Sequence, residues 1–171
     1  MNATTIFPAR RQASMYLQGV PEIENLRVRF NPVQARLIPA HVTLCREDEV
    51  QDWLRLESRI QDRIPISLTL GFGRAVRDDN LVFLPVVFGG EQFEKLRHVL
   101  LNDGIAPPRK LTPHITVIHP RNGVCTDAAF DEILQRLPPF KITLREISLI
   151  EQTVGGPWIR ISYIGVGSDK L

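Results

Sequence analysis

The stretch PHITVIHP, residues 113–120, has a near copy earlier in the chain, PAHVTLCR at 39–46. Each places a histidine, an aliphatic residue, a threonine and a second aliphatic residue just after a proline, and the two histidines stand 73 positions apart. Only four histidines occur in the chain, so half of them fall in this one pattern. In a β-strand successive side chains alternate faces, which sends His41 and Thr43 one way and Val42 and Leu44 the other. His114 and Thr116 oppose Ile115 and Val117 in the same manner. The aliphatic residues can enter a core while the polar pairs stay on an open face, so two neighbouring motif strands bring two imidazoles and two hydroxyls into one cleft.

Such a cleft suits a phosphate. Residues two apart on a strand are separated by about 6.6 Å, near the width at which a histidine and a hydroxyl hold different oxygens of one phosphate. Imidazole titrates near neutrality, so one histidine can accept a proton while the other donates one. In-line phosphodiester cleavage requires that pair, with water attacking on one side as an alkoxide leaves on the other. Threonine hydroxyls donating to the non-bridging oxygens would stabilise the developing charge.

Around the motifs, helical spacing alternates with strand patterns. Phe130, Ile133, Leu134 and Leu137 predict one helix, Phe93, Leu96 and Leu100 a second, and Val50, Trp53, Leu54 and Ile60 a third. A fourth, through Ile23, Leu26 and Phe30, must end near Asn31-Pro32. Ile64, Ile66, Leu68, Leu70 and Phe72 alternate as a strand, RDDN turns the chain, and the apolar run LVFLPVVF follows as a central strand or a buried interface strand. FKITLREISLI and WIRISYIGV, joined at the GG of 155–156, predict a C-terminal hairpin with Ile159, Ile161 and Tyr163 on one face. Hairpins mixed with helices give an α+β fold rather than a doubly wound parallel sheet. Each half offers a helix, a proline-containing approach, a histidine strand and another helix, a coarse internal symmetry.

Composition bounds the rest. The chain has 171 residues, 43% hydrophobic, enough for a core in a single domain spanning 1–171. A net charge of +2 excludes duplex binding through counterion release alone, yet suits a small anion or an RNA end. No apolar run approaches a membrane span and no secretory h-region opens the chain, so a cytoplasmic location is expected. Cys45 and Cys125 form neither a disulfide framework nor a zinc spacing. The Pro/Gly cluster at 104–110 reads as a loop within the domain.

HVTL and HITV, one per half of a chain of this size, resemble the paired His-x-Thr signatures of the two-histidine phosphoesterase superfamily, which includes 2'-5' RNA ligase-like proteins and 2',3'-cyclic phosphodiesterases of bacteria and archaea. TPHITV matches the second family motif closely, and the late GGPWIRISYI strand also fits. The resemblance implies a bilobal fold of two pseudo-symmetric, antiparallel-rich sheets flanked by helices around a central groove, with no metal or other cofactor. It implies His41 as proton donor to the leaving oxygen, His114 as proton acceptor from water, and Thr43 and Thr116 as phosphate ligands. The first motif departs in one place, where Ala40 stands between the proline and His41. The activity expected is hydrolysis of 2',3'-cyclic or 2'-5' phosphodiesters in RNA or nucleotides; the alternatives are 2'-5' ligation of tRNA halves and a non-catalytic RNA or nucleotide receptor.

Other residues compete for attention. Cys45 shares strand parity with His41, but about 13 Å of strand separates them, beyond nucleophile–base contact. No carboxylate, His or Cys stands at ligand spacing beside either motif histidine, which argues against a metal. Arg46, Arg109, Lys110 and Arg121 flank the motifs as a candidate basic rim. Tyr16, Phe72 and Trp158 are candidates for base stacking, His119 for the solvated rim and His98 for a helix surface. GFG at 71–73 and GG at 89–90 lack a nucleotide-loop fingerprint and read as structural. A monomer binding an RNA end or nucleotide, without membrane or metal, is the expected state.

Overall fold

The computed structural model describes residues 9–101 and 108–165. The loop expected at 104–110 therefore lies mostly outside the described residues. Nine strands and five helices follow one another: β1 (Arg10–Tyr16), α1 (Pro21–Phe30), α2 (Pro32–Leu37), β2 (His41–Arg46), α3 (Trp53–Gln61), β3 (Leu68–Phe72), β4 (Val76–Asp78), β5 (Leu81–Phe88), α4 (Gly90–Leu101), β6 (His114–Ile118), α5 (Asp127–Arg136), β7 (Phe140–Leu144), β8 (Glu146–Gln152) and β9 (Trp158–Gly165), all among the described residues.

The helices begin where local chemistry permits. Pro21 opens α1, its missing N–H costing nothing in the first turn, and Asn31-Pro32 ends it as the sequence predicts. Asp52 caps α3 by accepting from Arg55 N at 3.0 Å, and Thr126 caps α5 by accepting from Ala129 N at 3.2 Å. Within α3, Leu56 and Ile60 face the core, whereas Leu54 is 81% exposed, so the apolar stripe is narrower than its spacing suggests.

Two antiparallel sheets form. The first has the order β2-β1-β8-β9. In the second, β5 pairs with β6 along one edge and with β4 and then β3 along the other, and β7 lies beyond β3. LVFLPVVF is thus a central strand, although only Val82 and Leu84 in it are fully buried and Val87 and Phe88 are exposed. The expected strand from Ile64 begins only at Leu68, because Ile64-Pro65 stays outside the ladder. FKITLREISLI is not one arm but two: β7 joins the second sheet and β8 the first, with Arg145 crossing between them. The β8–β9 hairpin turns at Gly155, whose φ of 70° favours glycine. Ile161 is an extra residue in β9, so Ile159 and Tyr163 fall on opposite faces rather than one.

Ala13, Met15, Val42, Ile147 and Leu149 form the buried face of the first sheet. Leu70, Leu84, Ile115 and Leu144 do so in the second, and each fully buried aliphatic side chain contributes roughly 1.5–3 kcal/mol over its exposed state. Both motif strands end their sheets, β2 in the first and β6 in the second, and these two edges lie against each other. Among the described residues, no helix is long and apolar enough to cross a membrane.

Candidate active site

The two motif strands are built alike. In β2, Thr43 pairs with Ser14 and Cys45 with Ala13, leaving Leu44 as an extra residue. In β6, Thr116 pairs with Phe83 and Ile118 with Val82, leaving Val117 as the extra residue. Each His-x-Thr is therefore followed at once by a β-bulge, which shifts the residue after it to the opposite face. Leu44 and Cys45 are consequently both buried, as are Val117 and Ile118. The parity that put Cys45 beside His41 is broken by this bulge, and burial pushes the Cys45 thiol up to about 12. No nucleophilic thiol is available there.

His41, Thr43, His114 and Thr116 line one groove of about 460 Å³, within the range of small-molecule sites. Nδ1 of His41 donates to the carbonyl of Pro39 at 2.8 Å, and Nδ1 of His114 donates to the carbonyl of Thr112 at 3.0 Å. A carbonyl can only accept, so both rings carry their proton on Nδ1 when neutral and both leave Nε2 for chemistry. An aromatic ring braces each imidazole edge-on: Tyr16 against His41 at 6.3 Å and Phe83 against His114 at 5.6 Å between centroids. Desolvation, with the positive charges of Arg27 and His114, outweighs the hydrogen bond to Pro39 and pushes His41 from 6.5 down to about 4. His41 is thus neutral at pH 7 in the free protein.

The threonines differ in support. Gln12, buried beside them on β1, donates from Nε2 to Ser14 Oγ at 2.6 Å and to Thr43 Oγ1 at 3.2 Å. With its oxygen engaged as acceptor, the Thr43 hydroxyl keeps its proton to give away. In the strand carrying Gln12, only Ala13 and Met15 are apolar core residues; Arg10 and Gln12, on the other face, line the groove.

The approach to each histidine is gripped by a Glu-x-x-Arg pair. On α1, Glu24 accepts from Ala40 N and Arg27 donates to Ile38 O at 2.8 Å. On α4, Glu94 accepts from Leu111 N at 3.4 Å and Arg97 donates to Arg109 O at 2.9 Å. The helices carry IENLR at 23–27 and FEKLR at 93–97, a second internal repeat whose sequence signal was available. Arg97 is wholly buried, also donates to Leu44 O, and pairs with Glu49 at 2.7 Å. It therefore ties the end of β2 to the segment leading into β6.

Of the candidate basic rim, Arg46 and Arg121 line the groove, joined by Arg10 and Arg27. Arg109 is instead paired with Asp48 and Glu49, and Lys110 lines a separate concavity beside Pro113. Trp158 borders the groove with the Arg10 guanidinium 5.5 Å from its ring centre. Phe72 is core, stacked on Phe140, and offers no platform. His119 lines the groove too; its Nδ1 accepts from Arg121 N at 3.1 Å, and burial lowers its pKa. Among the described residues, no three His, Cys, Asp or Glu side chains cluster as metal ligands.

Residues 17–156 match the 2'-5' RNA ligase superfamily. Among solved structures, LigT from E. coli in its apo form shares 16% identity and a TM-score of 0.62, covering 92% of this chain and 97% of its own. LigT complexed with 3'-AMP gives 15% and 0.58 over 94% and 99%, and a structure described as a phosphoesterase gives 15% and 0.60 over 93% and 99%. At these identities the likeness is one of fold. No curated protein matches the sequence.

Proposed function

This chain belongs to the 2'-5' RNA ligase superfamily, among the two-histidine phosphoesterases, and we propose that it is a metal-independent phosphodiesterase for 2',3'-cyclic phosphates or 2'-5' linkages in RNA or nucleotides. The observation that carries this reading is the presentation of two Nε2 atoms, each fixed by an Nδ1–carbonyl hydrogen bond, into a single groove lined by both motif threonines. The phosphate sits between Thr43 and Thr116, with Arg46 and Arg121 at the rim. His114 Nε2 takes a proton from water as its oxygen bonds to phosphorus. The bond from phosphorus to the 2' or 3' oxygen breaks, and His41 Nε2 supplies the proton that this oxygen gains. His41, neutral in the free protein, acquires that proton as the anion arrives, because a phosphate oxygen next to Nε2 favours imidazolium.

LigT bound to phosphate, ATP and 3'-AMP supports an RNA end or nucleotide as the partner here. The test is hydrolysis of nucleoside 2',3'-cyclic phosphates and 2'-5' dinucleotides in excess EDTA, beside His41→Ala and His114→Ala. Turnover that survives the chelator and drops about 10²–10⁴-fold in each folded variant is expected. Wild-type turnover unaffected by either substitution would end the proposal.

A further inference from the structure

The two imidazoles rest on peptides of different kind. The carbonyl of Pro39, which accepts from His41 Nδ1, belongs to the peptide whose N–H is that of Ala40, and this N–H is donated to the Glu24 carboxylate. Arg27 closes the chain by donating to the same carboxylate at 2.8 Å. The carbonyl of Thr112, which accepts from His114 Nδ1, belongs to a peptide whose nitrogen is that of Pro113 and carries no hydrogen. Glu94 holds the Leu111 N–H instead, two peptides upstream. The departure between the motifs, Pro-Ala-His against Thr-Pro-His, is thus a difference in wiring.

A peptide that donates to a carboxylate is polarised, and its carbonyl accepts more strongly from the other side. A stronger acceptor at Nδ1 favours the charged ring, the device by which an orienting group raises the basicity of an imidazole. We propose that Glu24 is a positioning residue which, through the Pro39–Ala40 peptide, strengthens the hold of the His41 imidazole on a proton, a support that the Thr112–Pro113 peptide does not give His114.

The charged and titratable groups around His41 are Glu24 and Arg27 from α1, Tyr16 from β1 and His114 from β6; behind Tyr16 lies Arg160 from β9, its guanidinium 5.1 Å from the Tyr16 ring centre. Burial first, and then Arg27 and His114, oppose a proton on His41. The Glu24-backed carbonyl at Nδ1 and a bound anion at Nε2 both work against that opposition.

The inference rests on the proposed function for its catalytic meaning but can be tested without turnover. Isotope-labelled histidine resonances are titrated by NMR in saturating inorganic phosphate for the wild type, Glu24→Gln and Glu94→Gln. The glutamine at 24 keeps an acceptor for Ala40 N and removes the charge. We expect His41 to fall by about 0.5–1 pH unit in Glu24→Gln, a size typical of one charge-assisted hydrogen bond, and to stay put in Glu94→Gln. Ala40→Pro, which removes the N–H and recreates the peptide of the second arm, should lower His41 likewise and serves if Glu24→Gln does not fold. If hydrolysis is present, Glu24→Gln lowers kcat and leaves KM unchanged. An unmoved His41 in the folded variant would overturn the inference. Absence of turnover with the expected titrations would instead reject the proposed function and leave the relay standing.

Discussion

Gln12 donates from Nε2 to Thr43 Oγ1 across the β1–β2 ladder at 3.2 Å, so a residue outside both motifs sets which way a motif hydroxyl points. Removing it with Gln12→Ala costs Thr43 one neutral hydrogen bond, worth about 1 kcal/mol. Affinity for inorganic phosphate, measured by calorimetry, should fall three- to tenfold. Unchanged affinity would mean that Thr43 is oriented by the strand alone.

Acid should destabilise the fold through His41. Its folded-state value of about 4 lies below the ordinary 6.5, so the unfolded chain takes up this proton first as pH falls. The stability tied to a neutral His41 is complete above about pH 6.5 and is lost as pH falls through about 4, a loss of at most about 3 kcal/mol. Thermal melts of His41→Gln against wild type should converge or cross between pH 6.5 and 4, with the variant losing less. Parallel losses in the two proteins would show that His41 titrates normally.

Neither thiol should react in the folded protein. Cys45 and Cys125 are both buried, and burial raises both thiols, Cys45 to about 12. A chromogenic disulfide reagent should modify both cysteines in denaturant and neither without it, and Cys45→Ala should keep full activity. Rapid labelling of Cys45 together with loss of activity would revive the thiol as a participant.

The Arg97–Glu49 pair holds β2 to the approach of β6 in the absence of solvent, Arg97 being 0% and Glu49 7% exposed. Deleting one buried partner strands the other, and Arg97→Met should cost about 3–5 kcal/mol by denaturant unfolding. Replacing both with apolar residues should recover part of that loss. Additive losses in the double variant would show that the two charges do not act as a pair.

The motif histidines were legible because the chain states them twice, with the same aliphatic partners and a separation that leaves room for one lobe each. Helices α1, α4 and α5 were legible because each buries a stripe at helical spacing, and the β8–β9 hairpin because Gly155 sits where the turn needs positive φ. The strict period of a strand, by contrast, could not foresee the bulges at Leu44, Val117 and Ile161. An extra residue leaves composition untouched and changes every facing beyond it, so Cys45 and Tyr163 were placed on the wrong side.

By itself the sequence determined the α+β class and two His-x-Thr arms, since these depend on periodicity and residue type within short windows. Only the tertiary structure decided that the arms stand on the edges of two different sheets, that β7 and β8 part company at Arg145, and that Gln12, Glu24 and Arg97 support the site. Those supports join residues 12 to 53 positions apart, and a polar side chain looks the same in sequence whether it faces water or a buried carbonyl. Which peptide it meets is fixed by long-range packing, not by its neighbours in the chain.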